Sequence, residues 1–167
     1  ALCNNLPLIL LAGIGYEAET IEKADREAKN RWGSLAYIMA GWRQLDEQQL
    51  FEAEIEIAGE IRTFQAGAIT IANAAPPTSV LAQGIGEVVV DDGLLDITIA
   101  TVDNKLQGVT TLLGMLGAAL IRTNAGLDNV VHLRSPKVKI SAKPVQKVVL
   151  DGEIIGNTPL EIECLPQ

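Results

Sequence analysis

The sequence predicts an α+β domain, mainly β: an antiparallel β-sandwich with about three added helices. Three observations predict it. Residues 51–57 alternate apolar and acidic side chains in the period of a half-buried strand. The end of the chain breaks into short β-branched runs separated by Gly, Pro and Asp. Helical periodicity is confined to two segments early in the chain and one in the middle. Helices and strands that segregate in this way indicate α+β rather than α/β.

Taken in order, "LPLILLAGIGY" reads as a buried strand closing on two glycines. "EAETIEKADREAKNRW" has early acids and late bases, the charge order that suits a helix dipole. Gly33 and Ser34 break it, and Ser34 can cap a second helix, "LAYIMAGWRQLDEQQL". There Leu35, Ile38, Met39, Trp42 and Leu45 form one apolar face. A hairpin follows, with Phe51, Ala53, Ile55 and Ile57 on one side and Glu52, Glu54 and Glu56 on the other. It turns at Ala58-Gly59-Glu60, and its partner strand runs to about Ile71. "NAAPPTSVLAQGIGE" is a loop. "VVVDDGLLDITIATV" supplies two strands joined or interrupted at Asp91-Asp92-Gly93. "KLQGVTTLLGMLGAALIRTN" reads as a core helix with Leu106, Val109, Leu113, Leu116 and Leu120 on one face. "NVVHLRS", "PKVKISAK", "QKVVLDGEIIG" and "PLEIECLP" complete the strands. No linker divides the 167 residues, which are enough for one domain with its own core.

The core must be aliphatic, because 48% of residues are hydrophobic but only 4% are aromatic. Formal charge is -8 and the pI is about 4.6. That balance excludes nonspecific nucleic-acid binding, which needs clustered Lys and Arg. It also argues against simple electrostatic docking on an anionic membrane. Cys3 and Cys164 make neither a disulfide framework nor a metal pair, and read as free thiols of a reducing compartment. The apolar start is too short to span a bilayer and lacks signal-peptide flanks. With no initiator Met, the sequence reads as a piece of a longer chain.

Most catalytic patterns are absent. His132 is the only histidine, has no nucleophile setting and reads as structural. Zinc lacks ligands, "GIGYEA" has too few glycines for a dinucleotide fingerprint, and there is no P-loop. Residues 134–147 carry five bases and no acid. They could meet a phosphate or lipid headgroup, but read more simply as a strand edge guarded by lysines. Two acidic turns remain, Asp91-Asp92-Gly93 and Asp151-Gly152-Glu153. A hairpin explains each alone. Together they also suit a hard cation held by carboxylate and carbonyl oxygens, or an acid at a sheet rim that accepts a proton.

Four stretches in this order, "AGIGYEAET", "GSLAYIMAGWRQL", "VVVDDGLLDITI" and "VVLDGEIIGNTPLEIECLP", resemble the C-terminal domain of the soluble bacterial diacylglycerol kinase-like lipid kinases. The resemblance runs from about Leu8 to Pro166. It implies a two-domain enzyme, distantly similar in fold to NAD kinases, whose N-terminal domain binds ATP through a G-G-D-G-T loop. That loop does not occur here, so the chain, residues 1–167, is expected to be the substrate-side half and inactive alone. The resemblance implies Asp151 as general base, with Glu153 beside it as an orienting or metal-linked acid. It also implies a structural Mg²⁺ held by the Asp92 carboxylate and the carbonyls of Val89 and Leu94. The implied partners are ATP, a lipid alcohol at a membrane surface and the chain's own N-terminal domain, in a cytoplasmic protein peripheral to the membrane when acting. Homo-oligomerisation stays open. The loop after Asn73 reads "NAAPPTSVLAQGIGE" where the family's loop is usually glycine-rich with an aromatic residue, and Glu17 stands where Asp is usual. Diacylglycerol, sphingoid bases, ceramide and phosphatidylglycerol-type lipids all remain open as substrates. The other readings are a noncatalytic regulatory or interaction sandwich and an NAD kinase-like small-molecule kinase.

Overall fold

The computed structural model describes residues 1–15, 50–74, 89, 91–101 and 130–165. The three expected helices lie outside the described residues. What is described is antiparallel β-structure. Its strands are β1 (Leu2–Cys3), β2 (Leu6–Pro7), β3 (Leu11–Gly15), β4 (Phe51–Ile57), β5 (Glu60–Ala72), β6 (Leu95–Thr101), β7 (Val130–Ser135), β8 (Lys137–Lys143), β9 (Lys147–Leu150), β10 (Glu153–Asn157) and β11 (Leu160–Glu163).

Strand β5 organises the sandwich. Its first half pairs with β4, from Ile57 opposite Glu60 to Phe51 opposite Ala66. Its second half is flanked by β3 and β6, with Leu11 and Asp96 both opposite Ala72. The register shifts between Ala66 and Ala68, the kind of irregularity that bends a strand. One leaf therefore runs β10-β9-β3-β5-β6-β7, and the other β5-β4-β8-β11-β1-β2. The β4–β5 hairpin turns on Ala58 and Gly59, both at positive φ, the pattern of a two-residue turn matched to strand twist.

The core lies between the leaves. Ala12, Ile14, Ile69, Ile71, Leu95, Ile97, Ile99, Val148 and Leu150 come from the first leaf. Cys3, Leu8, Phe51, Ala53, Ile55, Val138, Ile140, Ala142, Leu160 and Ile162 come from the second. Among the described residues Phe51 is the one fully buried aromatic side chain, with Phe64 packed against the core at its margin, so packing there rests on aliphatic contacts. Gly15 lets it fit. A Cβ there would come within 2.6 Å of the Phe51 ring and 2.7 Å of the Gly67 carbonyl oxygen.

The basic run departs from the sequence expectation. Strand β8 is not an edge, since β4 and β11 pair with it on either side. Its lysines are solvated partners of acids on the neighbouring strands. Lys137 lies 2.6 Å from Glu161 and 3.0 Å from Glu163, and Lys143 lies 3.5 Å from Glu54. Glu161 draws the Lys137 ammonium upward in pKa, and Lys137 holds Glu161 below the usual carboxylate range. Alternation of Val138, Ile140 and Ala142 with these lysines is that of a central strand with one wet face.

Candidate functional site

Both acidic turns fall at one end of the first leaf. The register aligns Leu11 with Ala72, Ala72 with Asp96, and Asp96 with Arg134. Asp151 follows Leu150, and its N–H donates to the Leu11 carbonyl at 3.0 Å, so it extends the same row. Three strand steps separate Asp151 from Asp96, roughly 14 Å at about 4.8 Å per step. The two turns share a rim without forming a single constellation.

The Asp151 turn is a tight hairpin. Asp151 has φ 47° and Gly152 φ 91°. Asp tolerates this left-handed geometry better than most residues because its short polar side chain bonds locally. Here that side chain reaches a distant segment. Oδ2 accepts the Ile9 N–H at 2.8 Å, and Oδ1 accepts those of Leu10 at 2.8 Å and Leu11 at 3.0 Å. Three consecutive backbone N–H groups converging on one anion is the arrangement of a backbone nest. The carbonyls of the same loop are held from the other side. The Asn73 amide donates to Ile9 O at 3.0 Å, and the N–H groups of Asn73 and Ala74 donate to Leu10 O at 2.9 Å. Glu153 opens β10 opposite Leu150, is exposed, and its side chain has no hydrogen-bond partner among the described residues.

The Asp92 turn is built differently. Its Oδ1 accepts the Leu94 N–H at 2.9 Å, closing an Asx turn over Gly93 at φ 73°. Its Oδ2 pairs with Arg134 on β7. The Leu94 N–H, then Arg134, hold the Asp92 carboxyl below the usual carboxylate range. Arg134 Nε also lies 3.0 Å from Asp96 Oδ1, and His132 Nε2 lies 3.0 Å from the same oxygen. Asp96 is buried, and its other oxygen has no partner among the described residues. Val89 is exposed just before the turn.

The fold has relatives. The YegS C-terminal NAD kinase beta sandwich-like domain matches residues 11–167. The chain belongs to this family. An uncharacterized protein of Synechocystis sp. is 55% identical over all 167 residues, which make up 39% of it. A "Probable lipid kinase YegS-like" of Stenotrophomonas maltophilia is 27% identical over 93% of this chain and 49% of its own length. A Bacillus anthracis crystal structure designated a candidate diacylglycerol kinase shares the fold, with TM-score 0.70 at 21% identity. It covers 99% of this chain and 52% of that one. The chain thus spans between two fifths and about half of the relatives it matches.

At the Asp92 turn both carboxylate oxygens are already engaged, by the Leu94 N–H and by Arg134, so a hard cation there would have to share Asp92 with them. Among the described residues no group of three or more His, Cys, Asp or Glu side chains could hold a metal. The turn would therefore act through one carboxylate and backbone carbonyls. Arg134 competes for that carboxylate, and Asp91, Asp92 and Asp96 outnumber its single charge. The sequence reading named Asp92, Val89, Leu94, Asp151 and Glu153, took Arg134 only as part of the basic run, and missed Asp96 and the link between the two. Their signal was available: Asp92 and Asp96 are four apart across a turn, and His132 and Arg134 are two apart on one strand face.

Proposed function

We propose that this chain is the substrate-side half of an ATP-dependent lipid kinase that transfers the γ-phosphoryl of ATP to a lipid hydroxyl. In this reading an ATP-binding domain precedes it, and the isolated chain is inactive. The family membership supports the class, and lipid and diacylglycerol kinase designations among the relatives support the reaction. The observation that carries the proposal is an acidic hairpin at the rim with one carboxylate engaged and the other open to a substrate. The protein works from the cytoplasm at a membrane surface. Among the described residues no helix is long and apolar enough to cross one.

The resemblance gave the base to Asp151. The geometry favours exchanging the two roles. Three backbone N–H groups occupy the Asp151 oxygens, so that carboxylate is committed to holding the loop at Ile9–Leu11. Glu153, two residues on and unpartnered among the described residues, is available to accept the proton of the lipid hydroxyl. The hydroxyl oxygen takes the γ-phosphoryl as its proton passes to Glu153, and ADP departs. Phosphoryl transfer relies on positioning and charge neutralisation, so a base of this kind chiefly orients the nucleophile. Mg²⁺ bound with ATP would neutralise phosphate charge. Asp92, with the carbonyls of Val89 and Leu94, would hold a separate structural Mg²⁺.

Two experiments test these roles. In the chain extended to its full length, Glu153→Gln should lower kcat for lipid phosphorylation by about 10²- to 10⁴-fold, and Asp151→Asn should mainly raise KM. The reverse pattern would return the base to Asp151. A calorimetric Mg²⁺ titration should show a binding heat that Asp92→Ala removes; equal weak heats would remove the site. One observation favours a second reading: the matched domain is described as NAD kinase-like. A screen of soluble nucleotides as acceptors separates that small-molecule kinase from the lipid enzyme.

A further inference from the structure

The loop held by Asp151 combines two properties that rarely coincide. Its backbone is tied on both sides, through the N–H groups of Ile9, Leu10 and Leu11 and the carbonyls of Ile9 and Leu10. Yet the side chains of Ile9 and Leu10 stand in solvent, 68% and 41% exposed. Neighbouring Leu8 turns into the core and is 2% exposed. A mobile loop could show apolar residues to water by fluctuation. A loop fixed by this many hydrogen bonds presents them in one place. Rigid, exposed, adjacent aliphatic side chains mark a surface that meets an apolar partner.

Resting on the kinase reading above, we propose that Ile9 and Leu10 are specificity-determining residues that contact the apolar chain of the lipid alcohol beside its reacting hydroxyl. Position argues for this occupant. Asp151 bonds this loop directly and is followed, after Gly152, by Glu153 at the start of β10, so the apolar tip lies one tight turn from the proton acceptor. Charge argues for it too. Among the described residues the rim carries Asp91, Asp92, Asp151 and Glu153, with Arg134 paired to Asp92, a balance that offers little to an anionic headgroup. An acyl or alkyl chain carries no charge and gains from covering aliphatic surface. Asp151 is then a positioning residue that joins chain recognition to the reacting end.

The test uses the full-length protein and a series of lipid alcohols with one headgroup and increasing chain length. Wild type is compared with Ile9→Ser/Leu10→Ser, whose altered side chains are largely outside the core; thermal melts check that both fold. The wild-type kcat/KM should rise with chain length. The variant should match it on the shortest substrate and fall roughly tenfold behind on the longest. Equal loss at every length would overturn the inference and assign the tip to another part of the polypeptide. No loss at any length would overturn it as well. Wild-type transfer to no lipid alcohol at all would overturn the kinase reading and this inference with it.

Discussion

At the residue scale the chain separates two kinds of acid. Asp151 and Asp92 both sit beside glycines with positive φ, and the sequence places both in turns. What each carboxylate bonds could not be read from it. Asp151 meets Ile9–Leu11, about 140 residues away in the chain, and Asp92 meets Arg134, 42 residues away. Local chemistry predicts a turn; only the strand order decides which distant segment reaches it. The same holds for Cys3. Sequence makes it a free thiol, and the structure buries it fully in the core, where burial pushes its pKa to about 11. The sign follows from linkage: the thiol contribution to stability is intact below the ordinary cysteine range and is lost as pH rises toward that value. Cys3 should therefore resist alkylation at neutral pH in the folded chain and react promptly in denaturant, with the modified peptide located by mass spectrometry. Fast labelling of Cys3 in the native state would contradict its burial.

At the element scale, alternation was the most readable signal. Strands β4 and β8 carry it plainly: Phe51, Ala53, Ile55, Val138, Ile140 and Ala142 reach the core, and Ile57 packs against its margin. Period two says which side chains share a face, but not whether a strand has one neighbour or two. Lysines suit an exposed edge and a solvated central face equally well, which is why β8 was placed at an edge. The bend of β5 was hidden for a similar reason. Small residues, Ala66, Gly67 and Ala68, mark it, yet such residues also occur in straight strands. The close approach near this bend gives a direct prediction. Gly15→Ala places a methyl against the Phe51 ring and the Gly67 carbonyl, at φ 79°. The variant should be destabilised by about 1–3 kcal/mol in urea unfolding, the usual cost of overpacking a core. An unchanged midpoint would mean that Phe51 and β5 do not pack as described.

At the scale of the whole molecule, the sandwich gathers both acidic turns on one rim by register alone. Leu11, Ala72, Asp96 and Arg134 align across β3, β5, β6 and β7, and Asp151 adjoins them from β9. The two motifs, about 60 residues apart in the chain, become parts of one surface. That surface is acidic, edged with aliphatic side chains, and belongs to a domain that makes up 39% to 52% of the relatives it matches. In the function proposed above, such a rim is one half of a cleft, with the nucleotide supplied from the other side. The central claim is that the completed cleft phosphorylates a lipid alcohol. The most direct test is transfer of labelled phosphate from ATP by the full-length protein to a panel of lipid alcohols, with Glu153→Gln in parallel. The account predicts a labelled lipid product that the substitution removes while the protein remains folded. Label appearing only on soluble nucleotides, or on no acceptor, would contradict it.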